Sequence, residues 1–214
     1  MTGIRAVAAV LLDMDGTLVD SDAAVARAWD IWARAHHIDH DAVMAISPGQ
    51  PAAVTIGQVA PHLSTEDVDR EARVQLGLQY QDLDDVVAAP GALELIETLA
   101  MLRIPWAVVT SADRRLARAR LGAARIEPPQ VITVEDVTEG KPAPDGYLLA
   151  AARLGVEPRR ALVVEDSAAG IEAGRRAGMR VAGLRGAGGD LAIDDLAQLS
   201  SLLLDAASAR ALRP

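Results

Sequence analysis

Asp13 and Asp15 put two carboxylates two residues apart, directly after the apolar run Val10-Leu11-Leu12 and just before Gly16-Thr17-Leu18. Residues two apart share one face of a strand. Just past the last paired residue, with Gly16 turning the backbone, both acids can instead converge on one pocket. Two carboxylates so close are not both ionised cheaply, and a divalent cation, a shared proton, or both would relieve them. Three further polar groups stand at comparable places: Thr110-Ser111 after Trp106-Ala107-Val108-Val109, Lys141 in Gly140-Lys141-Pro142, and Glu165-Asp166 after Ala161-Leu162-Val163-Val164.

The elements that position these groups follow from periodicity. Val10-Leu11-Leu12, Trp106 to Thr110, Val131 to Val134, Ala161 to Val164 and Arg180 to Leu184 read as strands. Between them lie helical stretches: one carrying Leu93, Ile96, Leu99 and Leu102, one beginning near Asp113, one capped by Asp145 and running to Leu154, and one capped by Ser167 and ending at Gly178. Alternating strands and helices predict an α/β fold, a parallel sheet core with helices on both faces. Residues 19–85 differ. Ser21 is placed to cap a helix with Val25, Ala28, Trp29 and Trp32 on one side; Ser47-Pro48-Gly49-Gln50-Pro51 is a loop; a helix resumes from Ala53 toward Val59. Ser64 with Asp67 opens a last helix carrying Val68, Ala72, Leu76 and Tyr80. The chain therefore divides into an α/β core, residues 1–18 and 86–214, and an all-helical insertion, residues 19–85. The insertion enters at the carboxyl end of the sheet, where ligands bind in such folds, and is placed to act as a lid hinged near Val19-Asp20 and Val86 to Pro90.

Composition narrows the partners. The 214 residues are half hydrophobic, enough for a core, yet include no Phe, three Trp and two Tyr, so base stacking is a poor expectation. A net charge of −9 argues against nucleic acid and against an anionic membrane surface. Zero Cys excludes disulfides, thiolate nucleophiles and cysteine metal sites and fits a reducing, cytoplasmic setting. No run reaches transmembrane length, and Ala6 to Leu12, ended by two acids, reads as a buried strand rather than a signal segment.

With every polar group at the carboxyl end of a parallel strand, the constellation suits a phosphate and a metal. Asp13 and Asp166, with a backbone carbonyl, are the hard oxygen donors Mg²⁺ prefers, and such an ion neutralises a transferring phosphoryl group. Thr110, the Ser111 amide and Lys141 can hold phosphate oxygens, which leaves Asp15 to carry a proton. Lys141 is the one lysine in a chain whose other cationic side chains are arginine. A compact ammonium is not interchangeable with a planar guanidinium, so its single use points to chemical need.

These residues resemble the haloacid dehalogenase superfamily of phosphohydrolases, in the branch with a helical cap after the first strand. The resemblance is carried by Asp13-Met14-Asp15-Gly16-Thr17-Leu18-Val19-Asp20-Ser21, Val109-Thr110-Ser111, Gly140-Lys141-Pro142-Ala143-Pro144-Asp145 and Val164-Glu165-Asp166-Ser167-Ala168-Ala169-Gly170. It implies a Rossmann-like core and an aspartyl-phosphate intermediate on Asp13, with Asp15 as proton donor and then acceptor. It also implies phosphate binding by Thr110 and Lys141, and a Mg²⁺ site from Asp13, the Asp15 carbonyl, Asp166 and Glu165. Among subgroups the chain looks most like sugar and polyol phosphate phosphatases, so a small phosphorylated metabolite is the expected partner. In the cap loop, where relatives often carry His-Gly and then a basic or aromatic residue, this chain has Pro48-Gly49-Gln50; Gly49 and Gln50 are the expected specificity residues.

Four alternatives are weaker. A haloalkanoate dehalogenase needs no second aspartate, and a phosphonoacetaldehyde hydrolase needs a cap lysine that is absent. A β-phosphoglucomutase-like mutase must grip a second phosphate, for which Arg27, Arg34, Arg70 or Arg73 would have to serve. A non-catalytic binding module would be expected to lose one of the four motif groups, and none is lost. His36, His37 and His40 read as a solvated turn, and Trp29 and Trp32 as cap packing.

Overall fold

The computed structural model describes residues 7–48 and 50–211. Its contacts divide the chain into two compact units, one from the N-terminal residues through Asp20 together with Val87 onward, the other Ser21–Val86.

The first unit holds a six-stranded sheet built from β1 (Ala9–Leu12), β4 (Trp106–Val109), β5 (Val131–Ile132), β6 (Ala161–Glu165), β7 (Arg180–Gly183) and β8 (Leu191–Ala192). The spatial order is β5-β4-β1-β6-β7-β8, with every neighbouring pair parallel. The helices are α5 (Ala92–Met101), α6 (Arg114–Ala123), α7 (Asp145–Arg153), α8 (Ala168–Arg176) and α9 (Leu196–Ala211). The strand order runs one way from β1 to β4 and β5 and the other way from β1 to β6, β7 and β8. Right-handed crossovers then put α6 on one face and α8 on the other. Alternate strand residues, Leu11, Ala107, Val109, Val163 and Val181, pack with Tyr147, Ala150, Ile171 and Ala173 of α7 and α8 in one buried cluster. β1 lies where the order reverses, so the crevice at its carboxyl end is the ligand position of this architecture.

Local chemistry starts two of these helices as the sequence predicts. Asp113 accepts the Leu116 N–H at 2.7 Å and Ser167 accepts that of Gly170 at 3.1 Å. Two details differ. Asp145 is the first residue of α7 rather than its cap, its carboxylate accepting the Glu139 N–H at 3.3 Å. The predicted strand over Val131–Val134 stops at Ile132, because Thr133 and Asp136 form a capping box that begins a 3₁₀ turn. The segments expected to be hinges are paired: β2 (Val19–Asp20) and β3 (Val87–Ala88) form a two-stranded antiparallel ribbon.

The second unit is helical: α1 (Asp22–Ala35), α2 (His40–Met44), α3 (Ala52–Val59) and α4 (Thr65–Gln79). Ser64 caps α4 by accepting the Asp67 N–H at 3.2 Å, whereas Ser21 makes no side-chain cap on α1. Trp29 and Trp32 are buried and meet edge to face at 5.6 Å. The α4 stripe differs from the apolar expectation, since its most buried positions are Glu71 and Gln75. Glu71 earns burial by accepting from Trp32 Nε1 at 3.3 Å and pairing with His36 Nε2 at 2.8 Å, and His36 stacks on Trp32 at 4.5 Å. His36 is therefore part of the packing and not of a solvated turn. Among the described residues no helix is long and apolar enough to cross a membrane.

Candidate active site

Register sets the floor of the site. Leu12 is level with Val108 on one side and Val164 on the other, and the Asp13 N–H bonds Val164 O at 3.0 Å. Asp13 thus continues the face of Leu11, and Glu165 that of Val163, the same face against which α7 sets Tyr147. Lys141 arrives from the loop after β5, preceding a cis bond to Pro142. Its ammonium donates to Asp13 Oδ1, to Glu165 Oε1 at 2.6 Å and to the Val109 carbonyl at 2.9 Å, so all three protons are used. It also lies 5.3 Å from the Tyr147 ring centre.

Glu165 is wholly buried, and both of its oxygens are occupied. Oε1 accepts from Lys141 and from Tyr147 Oη at 2.8 Å; Oε2 accepts from the Ser167 hydroxyl at 2.9 Å and the Asp166 and Ser167 amides. Burial opposes its charge, but Lys141 and these donors hold it below the ordinary carboxylate range. Burial likewise opposes charge on Lys141, yet Asp13 and Glu165 hold it above the lysine range, so it stays an ammonium. Burial, reinforced by Glu165 and Asp166, pushes Asp13 well up despite Lys141. Asp166 is raised to about 6 by burial and by Glu165. One ammonium among three carboxylates leaves negative charge in a confined volume.

That donor set fits a hard divalent cation. Ligand oxygens of Asp13, Glu165 and Asp166 all lie within 4.8 Å of one another, and they are the one such acidic group among the described residues. Gly16 makes the approach possible. It turns at φ 78°, and a Cβ there would overlap the Asp166 carboxylate, which accepts from Thr17 Oγ1 at 3.3 Å. The Asp15 carboxylate is not in the cluster; its Oδ2 pairs instead with Arg120 Nη1 at 2.7 Å.

Beside the acids is a small open pocket lined by Thr110, Ser111, Thr133, Glu139, Lys141 and Tyr147 among others. Thr110 Oγ1 accepts the Ala112 N–H at 3.0 Å, which leaves the hydroxyl proton to donate. Of the expected site residues, the α/β unit thus brings together Asp13, Thr110, Ser111, Lys141, Glu165 and Asp166. Gln50 is exposed in the loop before α3, its N–H bonding Ser47 O at 3.1 Å, and Gly49 lies outside the described residues. Three of the four arginines that could serve a mutase are paired inside the helical unit: Arg27 with Asp82 and Asp85, Arg34 with Asp30, and Arg70 with Asp67.

Sequence reasoning missed Tyr147 and Arg120. Tyr147 is fully buried, and burial together with Glu165 holds its hydroxyl protonated. Arg120 carried a signal: it falls four residues after Leu116 and one before Leu121, on the apolar stripe of α6.

A parallel sheet whose switch-point crevice holds an acid cluster around a single ammonium carries a charged site at the position where α/β folds bind their ligands. The chain belongs to the haloacid dehalogenase-like hydrolase family, whose description "Hydrolase: haloacid dehalogenase-like hydrolase" matches residues 7–178. It is 41% identical over 172 residues to Hexitol phosphatase A of Escherichia coli, covering 80% of each chain. It is 33% identical to Glycerol-1-phosphate phosphohydrolase 2 of Saccharomyces cerevisiae, covering 82% of this chain and 74% of that one. Among solved structures it resembles CbbY from Rhodobacter sphaeroides in complex with phosphate, with TM-score 0.75 and 26% identity over 90% of this chain and 96% of the other.

Proposed function

We propose that this enzyme is a Mg²⁺-dependent phosphatase that hydrolyses a small sugar or polyol phosphate through an aspartyl phosphate on Asp13. The observation that carries the reading is the convergence of Asp13, Lys141, Glu165 and Asp166 at the carboxyl ends of adjacent parallel strands. The similarity to Hexitol phosphatase A and Glycerol-1-phosphate phosphohydrolase 2 supports the substrate class.

In the first transfer an Asp13 oxygen bonds to phosphorus, the ester P–O bond breaks, and the departing oxygen takes a proton from Asp15. In the second, water attacks phosphorus, gives its proton to Asp15, and Asp13 leaves as a carboxylate. Lys141 holds Asp13 in place and is ready to neutralise a phosphoryl oxygen, while Thr110 and the Ser111 amide bind the other oxygens. Glu165 and Tyr147 keep Lys141 charged and fixed. Mg²⁺ would be held by Asp13, Asp166 and the Asp15 carbonyl, with Glu165, whose oxygens are taken by protein donors, reaching it through water, and would supply charge neutralisation for the transferring group. Residues 47–51, with Gly49 and Gln50, are the proposed specificity loop. The pairing of Arg27, Arg34 and Arg70 with acids of their own unit weighs against a mutase, which needs cap cations for a second phosphate.

The test is phosphate release from hexitol, glycerol and 2-deoxyglucose phosphates with Mg²⁺, with chelator, and with Asp13→Asn. Release that requires Mg²⁺ and Asp13 is the expected result, with Gln50→Ala altering the order of substrates. Isomerised hexose phosphate without phosphate release would replace the phosphatase with a mutase.

A further inference from the structure

Arg120 has no part in the phosphate site, yet it is among the most deeply buried charged groups of the chain. It sits in the last turn of α6 with 2% of its surface exposed, and its Nη1 meets Asp15 Oδ2 at 2.7 Å. Burying a guanidinium is costly and needs a partner. The partner is not itself buried to match: the Asp15 side chain is 29% exposed, against 3% for that of Arg120. A carboxylate that open is hydrated without help. The cation, then, is desolvated for the sake of where the acid points.

The backbone around Asp15 is fixed independently. Gly16 donates to Val19 O at 2.9 Å and Leu18 to Met14 O at 2.9 Å, closing the turn. Those bonds hold the main chain but not the carboxylate, whose rotamer requires a side-chain partner. A guanidinium suits that duty because it does not deprotonate in proteins and so does not compete in proton exchange.

We propose that Arg120 is a positioning residue for proton transfer: it holds the Asp15 carboxylate so that one orientation meets first the departing alcohol oxygen and then the attacking water. The inference rests on the phosphatase reading above and deepens it. Its signature is dependence on the leaving group. An alkyl phosphate needs a proton on its departing oxygen, whereas p-nitrophenyl phosphate expels a stable phenolate without one.

The experiment is single-turnover release, with enzyme in excess and Mg²⁺ present, of glycerol from glycerol phosphate and of nitrophenolate from p-nitrophenyl phosphate. Arg120→Gln and Arg120→Met should slow glycerol release about tenfold to a hundredfold more than nitrophenolate release, with half-saturating concentrations little changed. In an Asp15→Asn background, Arg120→Met should add nothing to that difference. Should Arg120→Gln not fold, as judged by circular dichroism, Arg120→Met carries the same readout, since its apolar chain refills the volume and water hydrates Asp15. Equal slowing of both esters, no slowing, or a further differential loss on Asp15→Asn would overturn the role. Release of neither product by the native chain would instead overturn the phosphatase reading, and this inference with it.

Discussion

Buried polar groups occur in both units of this protein, but they are used differently. In the α/β unit, Lys141, Glu165 and Tyr147 are closed away from water while the network they form ends on Asp13, at the mouth of the sheet crevice. In the helical unit, Glu71 joins Trp32 and His36, tying α4 to α1, and its other oxygen faces the exposed Arg70 at 3.5 Å. Both satisfy the requirement that a buried charge be paired. The first leaves acids raised by burial and by one another, with charge for a cation to balance; in the second a guanidinium of the same unit already stands beside the carboxylate. A buried polar cluster marks a reactive site when its charges do not close within it.

Breaking the α/β network should cost catalysis, and breaking the helical one should cost stability. The largest effect is expected for Asp13→Asn: a fall in phosphate release of roughly 10⁴-fold or more, with an unchanged circular dichroism spectrum. Appreciable residual turnover would end the covalent mechanism. Next comes Lys141→Arg, for which we expect a loss on the order of 10²-fold or more, because the planar fork cannot reproduce three donations from one nitrogen. Near-native kcat there would show that charge alone suffices.

The helical counterpart is Glu71→Ala, which strands Trp32 Nε1 and His36 and should lower unfolding free energy by about 1–3 kcal/mol in urea titrations. If it abolished turnover without changing stability, the contrast between the units would fail. The smallest effect belongs to Asp136. Its carboxylate accepts the Thr133 N–H and hydroxyl and pairs with Arg153, which lowers it from the ordinary 3.8 to about 2. Since the folded value is the lower, its contribution is full above 3.8 and is lost as pH falls through about 2. Native protein should exceed Asp136→Asn in melting temperature near neutral pH, and the gap should close in acid; a constant gap would remove the electrostatic explanation.

Much of this was legible in the chain because it depends on short-range pattern. Strand runs ending in Asp13, Thr110 and Glu165 mark where a parallel sheet must open, and a lone lysine between glycine and proline marks a chosen group. The alternation of strands and helices, interrupted once by a helical block, is likewise written in hydrophobic period. Thr133 shows the limit within a single element. Val131 to Val134 has strand composition, but the side chain of Asp136 two residues beyond offers Thr133 a better bond than the ladder, and the strand stops.

What the sequence by itself determined is the kind of residue at each strand end and the order in which the elements come. Only the tertiary structure decided which of those residues meet. Glu165 became the holder of Lys141, because the register of β1 with β6 sets it level with Asp13 while α7 lays Tyr147 against the same face. Arg120, one of five arginines between positions 114 and 125, became the partner of Asp15, more than a hundred residues away in the chain. Local propensity has no access to such distances: they are set when the sheet closes, and the cost of burying a charge then selects the one arrangement in which each ion has found another.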